Sequence, residues 1–321
     1  MARLPILVLT LVLAALPGAA PAQTYPDRAI TIVVPFTPGT GIDIIARILG
    51  QRIAERWGQP VVIDNKPGAS GNIGTEAVAR ARPDGHALLM TVNTFVMNYS
   101  LFKSVPYDPL RDFEPIGLAA WGSLLMVANA SAPFDSVAAL VRGAKAQPGK
   151  IAYASPGVGT PHHMSMELFK NVAGIDLLHV PYKGTAGAVN DLLSGQVPLM
   201  FLPIHVALPH VKSGRIRALA IGSPQRAQSA PDVPTLRELG FNGVDVDMWY
   251  GLVAPRATPR EIIAKWNAEM KAILGLAEVR ASFAAQGLEP AYSTPEEFRA
   301  LIETDLGRWT RVVREAKISA D

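Results

Sequence analysis

Two glycine-rich turns decide the fold: Val34-Pro35-Phe36-Thr37-Pro38-Gly39-Thr40-Gly41, and Tyr153-Ala154-Ser155-Pro156-Gly157-Val158-Gly159-Thr160-Pro161-His162. Each follows a run typical of a strand and precedes a run typical of a helix, which predicts an α/β protein. Glycine has no Cβ atom, so the backbone can approach a ligand closely at such a strand-to-helix turn, here called a corner. The helix that follows offers unpaired N–H groups and the positive end of its dipole. A corner of this kind suits a carboxylate, a sulfonate or a phosphate.

The surroundings of the first corner are repeated around the second. A predicted helix at 42–57 and a predicted strand at 60–63 lead to the turn Lys66-Pro67-Gly68-Ala69, and a helix at 164–172 and a strand at 177–180 lead to Tyr182-Lys183-Gly184-Thr185. Gly157 follows Gly39 by 118 positions, and Gly184 follows Gly68 by 116. These near-equal spacings predict two lobes of similar build that face one cleft, although α/β units resemble one another in general.

The amino end predicts a signal peptide, residues 1–22. Arg3 supplies a basic start, residues 6–16 are apolar, and Ala20-Pro21-Ala22 has the small residues of a cleavage site. The apolar run is too short to span a bilayer. A membrane anchor or a buried helix is the alternative, but we expect an exported protein that begins at Gln23.

Composition excludes several classes of protein. The 321 residues suffice for two domains, and 49% hydrophobic with 18% charged residues is typical of a globular chain. The net charge of +3 comes without any basic run interleaved with aromatic residues, so we expect no nucleic-acid partner. The absence of cysteine excludes disulfides and thiolate chemistry.

The motifs of common enzymes are absent. The sequence has no Gly-x-Ser-x-Gly elbow, no His-Glu-x-x-His pair and no Walker motif. Adjacent His162 and His163 point to different sides of a helix, so we expect no metal site, and no cofactor is predicted. The corners offer amides and hydroxyls, which bind anions without transforming them.

A few side chains could add contacts to a ligand. Asn93 and Thr94 follow a strand predicted at 86–92, where they would either line the cleft or cap a loop. His162 would either donate a hydrogen bond to a ligand or pack as an ordinary histidine. Asp43 lies in the first turn of a helix, where a contact at the helix start or between the lobes is favoured over a ligand role.

Taken in order, the motifs resemble those of the Bug-type extracytoplasmic solute receptors, the substrate-binding proteins of tripartite tricarboxylate transporters. The matching segments are Tyr25-Pro26, Val33-Val34-Pro35-Phe36, Asn65-Lys66-Pro67-Gly68-Ala69, Gly71-Asn72-Ile73-Gly74, Pro83-Asp84-Gly85, Pro106-Tyr107-Asp108-Pro109, Gly157-Val158-Gly159-Thr160, His179-Val180-Pro181-Tyr182-Lys183-Gly184, Asp191-Leu192-Leu193-Ser194-Gly195-Gln196-Val197 and Pro231-Asp232-Val233-Pro234-Thr235. The resemblance covers nearly the whole mature chain.

The resemblance implies a two-lobed periplasmic binding protein of the type II-like, Venus-flytrap kind, in which each lobe is a mixed sheet flanked by helices. Residues 24–125 and 250–321 would form the first lobe, and residues 126–249 the second. The implied ligand is a small organic acid held largely by backbone amides. With the side chains considered above, the expected ligand-binding residues are Phe36, Thr37, Pro38, Gly39, Thr40, Gly41, Asn93, Thr94, Ser155, Gly157, Val158, Gly159, Thr160, His162, Gly184, Thr185 and Ala186.

The chain departs from the family pattern at three positions. The family usually has proline at position 37, glycine at 40 and aspartate at 202, where this chain has Thr37, Thr40 and Leu202. Loss of the aspartate argues mildly against an amino-acid ligand. We expect a monomeric periplasmic receptor that delivers a carboxylate to the permease subunits of a tripartite tricarboxylate transporter. A periplasmic ligand sensor is the alternative, and an enzyme is less favoured.

Overall fold

The structure is a computed structural model that describes residues 25–318. The predicted signal peptide lies outside the described residues. The strands are β1 Ile30–Val34, β2 Val61–Asn65, β3 Ala87–Val92, β4 Phe113–Asn129, β5 Ala152–Ser155, β6 Leu178–Pro181, β7 Leu199–Pro203, β8 Ile216–Ile221, β9 Asp247–Pro255 and β10 Leu288–Pro290. The helices are α1 Gly41–Trp57, α2 Asn72–Ala79, α3 Thr94–Leu101, α4 Val137–Ala146, α5 Pro161–Ala173, α6 Thr185–Ser194, α7 Ile204–Lys212, α8 Arg260–Leu274, α9 Ala277–Ala285 and α10 Pro295–Glu315.

The strands form two mixed sheets that share β4. In the first lobe the order is β2-β1-β3-β9-β4-β10, with β1, β2 and β3 parallel and β9, β4 and β10 antiparallel to their neighbours. In the second lobe the order is β8-β4-β7-β5-β6, with β7, β5 and β6 parallel. The expectation of two lobes, each with a mixed sheet, is confirmed.

Strand β4 runs from the first lobe into the second and so connects them. Its first part, Phe113 to Ser123, pairs with β9, and its second part, Leu124 to Asn129, pairs with β7 and β8. The change of partner between Ser123 and Leu124 lies close to the predicted lobe limit at residue 125. Strand β9 pairs along its length with β3 and β4 in the first lobe.

The carboxyl-terminal helices pack on the first lobe, as predicted. Helices α8 and α10 both lie against β4, and they bury Trp266, Phe298 and Trp309 completely. Helix α10 begins with a capping box, in which the Thr294 hydroxyl accepts from the Glu297 N–H and the Glu297 carboxylate accepts from the Thr294 N–H. Between residues 25 and 318, no helix has both the length and the apolar character needed to cross a bilayer.

Three helices, α3, α7 and α9, were not predicted. Helix α3 is buried on most sides, so its sequence lacks the alternation of apolar and polar faces that marks a surface helix. Helix α7 contains Pro209, a residue that normally argues against a helix. Two of these helices, α3 and α7, begin at the cleft, so the sequence pattern was weakest next to the site.

Candidate ligand-binding site

A cavity of about 260 Å³ lies between the two lobes. Five helices begin at its wall: α1 and α3 from the first lobe, and α5, α6 and α7 from the second. Each follows the carboxyl end of a strand, respectively β1, β3, β5, β6 and β7, which is where open α/β sheets bind ligands. The cavity is therefore surrounded by the positive ends of five helices.

Eleven of the predicted residues line this cavity. They are Phe36, Thr37, Pro38, Gly39, Thr40, Gly41, Thr94, Thr160, His162, Thr185 and Ala186. The wall is completed by Ile42, Val92, Pro156, Pro161, Val189, Asn190, Pro203, His205, Val206, Met248 and Tyr250. Most of this second group is apolar, which suits a ligand with a hydrocarbon body.

Six predicted residues, Asn93, Ser155, Gly157, Val158, Gly159 and Gly184, do not line the cavity. Three of them make hydrogen bonds to other parts of the protein. The Asn93 amide donates to the Asp247 carbonyl at 2.9 Å, and the Ser155 hydroxyl lies 2.7 Å from His179 Nε2. The Val158 carbonyl accepts from the Ser70 hydroxyl of the first lobe at 2.5 Å. A direct ligand role for these six residues stays a prediction.

The two main corners leave their helix N-termini open in the same way. Thr40 and Thr160 occupy the cap positions of α1 and α5, but neither side chain accepts a hydrogen bond from its helix. Their hydroxyls donate backwards instead, Thr40 to the Thr37 carbonyl at 2.9 Å and Thr160 to the Gly157 carbonyl at 2.7 Å. Side-chain caps are also absent at α3, α6 and α7. The hydroxyl groups of Thr40 and Thr160 therefore bond within their own corners and leave the N–H groups of α1 and α5 open.

A second shared contact corrects the predicted alignment of the corners. The Gly39 N–H donates to Asp43 Oδ2 at 2.9 Å, and the Gly159 N–H donates to His163 Nδ1 at 3.2 Å. The equivalent glycines are therefore Gly39 and Gly159, which are 120 positions apart, and the predicted pairing with Gly157 was wrong. The shared Pro-Gly dipeptide had favoured that pairing. In each corner, a side chain from the first turn of the following helix accepts a hydrogen bond from the glycine N–H.

Asp43 makes contacts at the start of α1, which is the role that the sequence favoured over ligand binding. In addition to the Gly39 bond, it accepts from Arg47 Nε at 3.0 Å and from Asn65 Nδ2 at 3.0 Å. Burial alone would raise the pKa of Asp43, but these hydrogen bonds hold it below its ordinary value. The carboxylate is thus ionised and fully engaged within the first lobe.

Three lining side chains carry polar atoms without partners. Thr94 Oγ1, both ring nitrogens of His162 and Nε2 of His205 are buried and make no hydrogen bond within the described residues. Burial, and then the neighbouring His205, lower the pKa of His162 to about 3, and burial lowers that of His205 to about 4. His205 was missed because α7 was not predicted; its place two residues after the end of a strand could have marked it.

Lysine, arginine, aspartate and glutamate are absent from the cavity-lining residues named above. An anion would therefore rest on backbone N–H groups, hydroxyls and imidazoles. An ammonium group would find no carboxylate among these lining residues, because Asp43 is engaged elsewhere and Leu202 lies fully buried in the core of the second lobe. The wall thus favours a ligand that is negatively charged and carries no amine.

Asp43 and His163 hold equivalent glycines, but we predict that they change the stability of the fold in different pH ranges. Burial lowers the pKa of His163 to about 3, so between pH 6.5 and 3 the unfolded chain binds a proton that the folded chain does not. Stability therefore falls as the pH drops. From pH 7 to pH 5 the loss from His163 should be about 2 kcal/mol. A His163→Gln variant should lose this part of the pH dependence in urea unfolding curves measured at pH 7, 6 and 5.

An Asp43→Asn variant is the control for the His163 prediction. Because the pKa of Asp43 lies below 3.8, the stability that its charge contributes is present throughout pH 5–7 and is lost only at lower pH. The variant should be less stable than the wild type by a constant amount over this range. Equal pH slopes in the wild type and His163→Gln would contradict the buried, uncharged state of His163.

Two lobes joined by a shared strand, with a cavity between them at the carboxyl ends of the strands, define the fold of the periplasmic binding proteins. The sequence model described as the tripartite tricarboxylate transporter family receptor matches residues 45–318. The chain belongs to this family. Protein BugT of Bordetella pertussis is 39% identical over 301 residues, which cover 92% of each chain.

Solved structures show the same fold. A protein of R. palustris solved with adipate has a TM-score of 0.88 and 34% identity, and the match covers 92% of this chain and 99% of that one. MatC from Rhodopseudomonas palustris, with bound malate, has a TM-score of 0.85 and 32% identity, over 90% and 100% of the two chains. The family is thus one of binding proteins, and these two similar proteins were solved with small carboxylates.

Proposed function

We propose that the chain binds a small carboxylate between its lobes in the periplasm and delivers it to the permease subunits of a tripartite tricarboxylate transporter. The observation that carries the proposal is the convergence of five helix N-termini, without side-chain caps, on a cavity whose known wall has no charged side chain. Adipate and malate in the two relatives support the ligand class. The signal peptide at 1–22 and the lobe limits at 125/126 and 249/250 belong to the same proposal.

The affinity that such a receptor needs must come from several contacts that act together. A micromolar dissociation constant corresponds to about −8 kcal/mol, whereas one helix terminus contributes about 0.3–1 kcal/mol, or up to about 2 when partly buried. Several termini must therefore act together with hydrogen bonds in a cavity that excludes water. This requires the lobes to close on the ligand by a hinge motion.

A thermal-shift screen of the mature protein tests the ligand class. We expect adipate or malate at about 1 mM to raise the stability by about 4 kcal/mol if the affinity is micromolar. Adipamide, which matches adipate in length but is neutral, is the control and should give little shift. An equal shift with adipamide, or a shift with neutral compounds alone, would contradict the proposal that the site binds anions.

A further inference from the structure

Two histidines in the cavity are not explained by the binding of one carboxylate to the corners. His162 is the second residue of α5, and His205 is the second residue of α7. Three of their ring nitrogens are shielded from solvent and have no hydrogen-bond partner within the described residues. Buried polar groups without partners are unfavourable, and in a ligand cavity they indicate groups that the ligand completes.

The two rings occupy one region of the cavity. A Cβ atom placed on Gly41 would lie 3.0 Å from His205 Cε1 and 3.1 Å from the Tyr250 hydroxyl. His205 therefore reaches from the second lobe to the first residue of α1, and the missing side chain of Gly41 makes room for it. His162 is close enough to His205 for the charge of one ring to affect the other.

The surroundings of both rings favour the neutral imidazole. Burial disfavours the imidazolium form of both rings, and at His162 the neighbouring His205 adds to this effect. The positive N-terminal ends of their own helices act in the same direction. The titratable groups around the pair offer no counter-charge. Tyr250 lies 3.6 Å from Met248 Sδ, Asp43 is held by the Gly39 N–H, and His163 accepts from the Gly159 N–H.

We propose that His162 and His205 form a second polar subsite, which takes the distal carboxylate of a dicarboxylate ligand together with one proton. A carboxylate only accepts hydrogen bonds, whereas a neutral imidazole donates one and accepts one. Protonation of one ring turns its acceptor nitrogen into a second donor, and the incoming negative charge stabilises the imidazolium. The solvent supplies the proton, which remains on the imidazole pair until the ligand leaves. This inference rests on the proposed function and assigns the residues that distinguish a diacid from a monoacid.

Calorimetry of the full mature chain with adipate and hexanoate tests the subsite. Titrations at pH 6.5, in buffers of different ionisation enthalpy, measure the protons taken up on binding. We expect adipate to bind with uptake of close to one proton and hexanoate with none. The affinity for adipate should rise as the pH falls from 8 to 6.5, by at most tenfold per unit, while that for hexanoate stays constant.

Variants assign the effect to residues. His162→Asn and His205→Asn should each abolish the proton uptake and bring the affinity for adipate at least tenfold closer to that for hexanoate. Titrations of the same variants with hexanoate measure any general effect of each change on the cavity, and thermal unfolding would verify that each variant is folded. Adipate binding without proton uptake in the wild type would overturn the subsite and leave carboxylate binding intact. Binding of neither acid would overturn the proposed function and the subsite with it.

Discussion

A Gly159→Ala variant should bind its carboxylate roughly 10- to 100-fold more weakly than the wild type. Gly159 belongs to the second lobe, and an added Cβ atom would lie 2.3 Å from Asn98 Oδ1 in α3 of the first lobe. Asn98 cannot turn away freely, because its amide donates to the Ser70 carbonyl and to Asn72 Oδ1. Overpacking of this kind costs about 1–3 kcal/mol. The variant avoids this cost by keeping its lobes apart, and the lobes then close less readily on the ligand.

The control for Gly159→Ala is Gly174→Ala, at the other end of α5. Both glycines have positive φ, +78° at Gly159 and +62° at Gly174, so alanine should cost about 1–2 kcal/mol of stability at either position. Nothing lies within 4 Å of a Cβ placed on Gly174. Calorimetry should therefore show weaker binding in Gly159→Ala alone. Equal affinities in the two variants would mean that contact between the lobes at Gly159 is not needed for binding.

A Gly251→Ala variant should lose about 3 kcal/mol of stability or more. Gly251 lies in β9 between Thr91 of β3 and Leu118 of β4. A Cβ atom there would lie 2.1 Å from Cζ of Phe298, a fully buried residue of α10. The ring also meets Trp249 edge-to-face at 5.4 Å, so it has little freedom to move. Inserting a methyl group into such packing destabilises the fold. Denaturant unfolding would measure the loss.

A double-mutant cycle assigns this loss to the Phe298 ring. Phe298→Leu removes the obstructing atoms, so the double variant should be more stable than the sum of the single changes predicts, by about 1–3 kcal/mol. Gly307→Ala in α10 is the control, because nothing lies within 4 Å of a Cβ there, and alanine should stabilise the helix by about 0.5–1 kcal/mol. Additive changes at Gly251 and Phe298 would show that the strain lies elsewhere.

The sequence predicted those parts of the fold in which local pattern and tertiary packing agree. The helix predicted at 42–57 and the strand predicted at 86–92 agree with α1 and β3 within one residue at each end. Helix α3 was missed because Thr94, Phe95 and Val96 are all buried, which leaves no polar face in the pattern. Burial on all sides is a tertiary property, and single-sequence periodicity cannot reveal it.

The sequence predicted the backbone corners of the candidate site but not all of the side chains that line it. Glycine turns between strands and helices have a clear sequence signature, so the residues from Phe36 to Gly41 were all placed at the cavity wall. Contacts between lobes have no such signature, because they join residues far apart in the chain. For this reason the proximity of Gly159 to Asn98 of the other lobe and the place of His205 at the cavity wall were not anticipated.

The shared strand β4 has a consequence for cooperativity. The segment from Leu124 to Asn129 is an internal strand of the second lobe and continues, without a break, the strand that pairs with β9 in the first. If either lobe loses its order, the other loses part of an interior strand and the hydrogen bonds on both sides of it. The two lobes are therefore thermodynamically coupled, and a ligand that stabilises their closed arrangement protects the whole chain against unfolding.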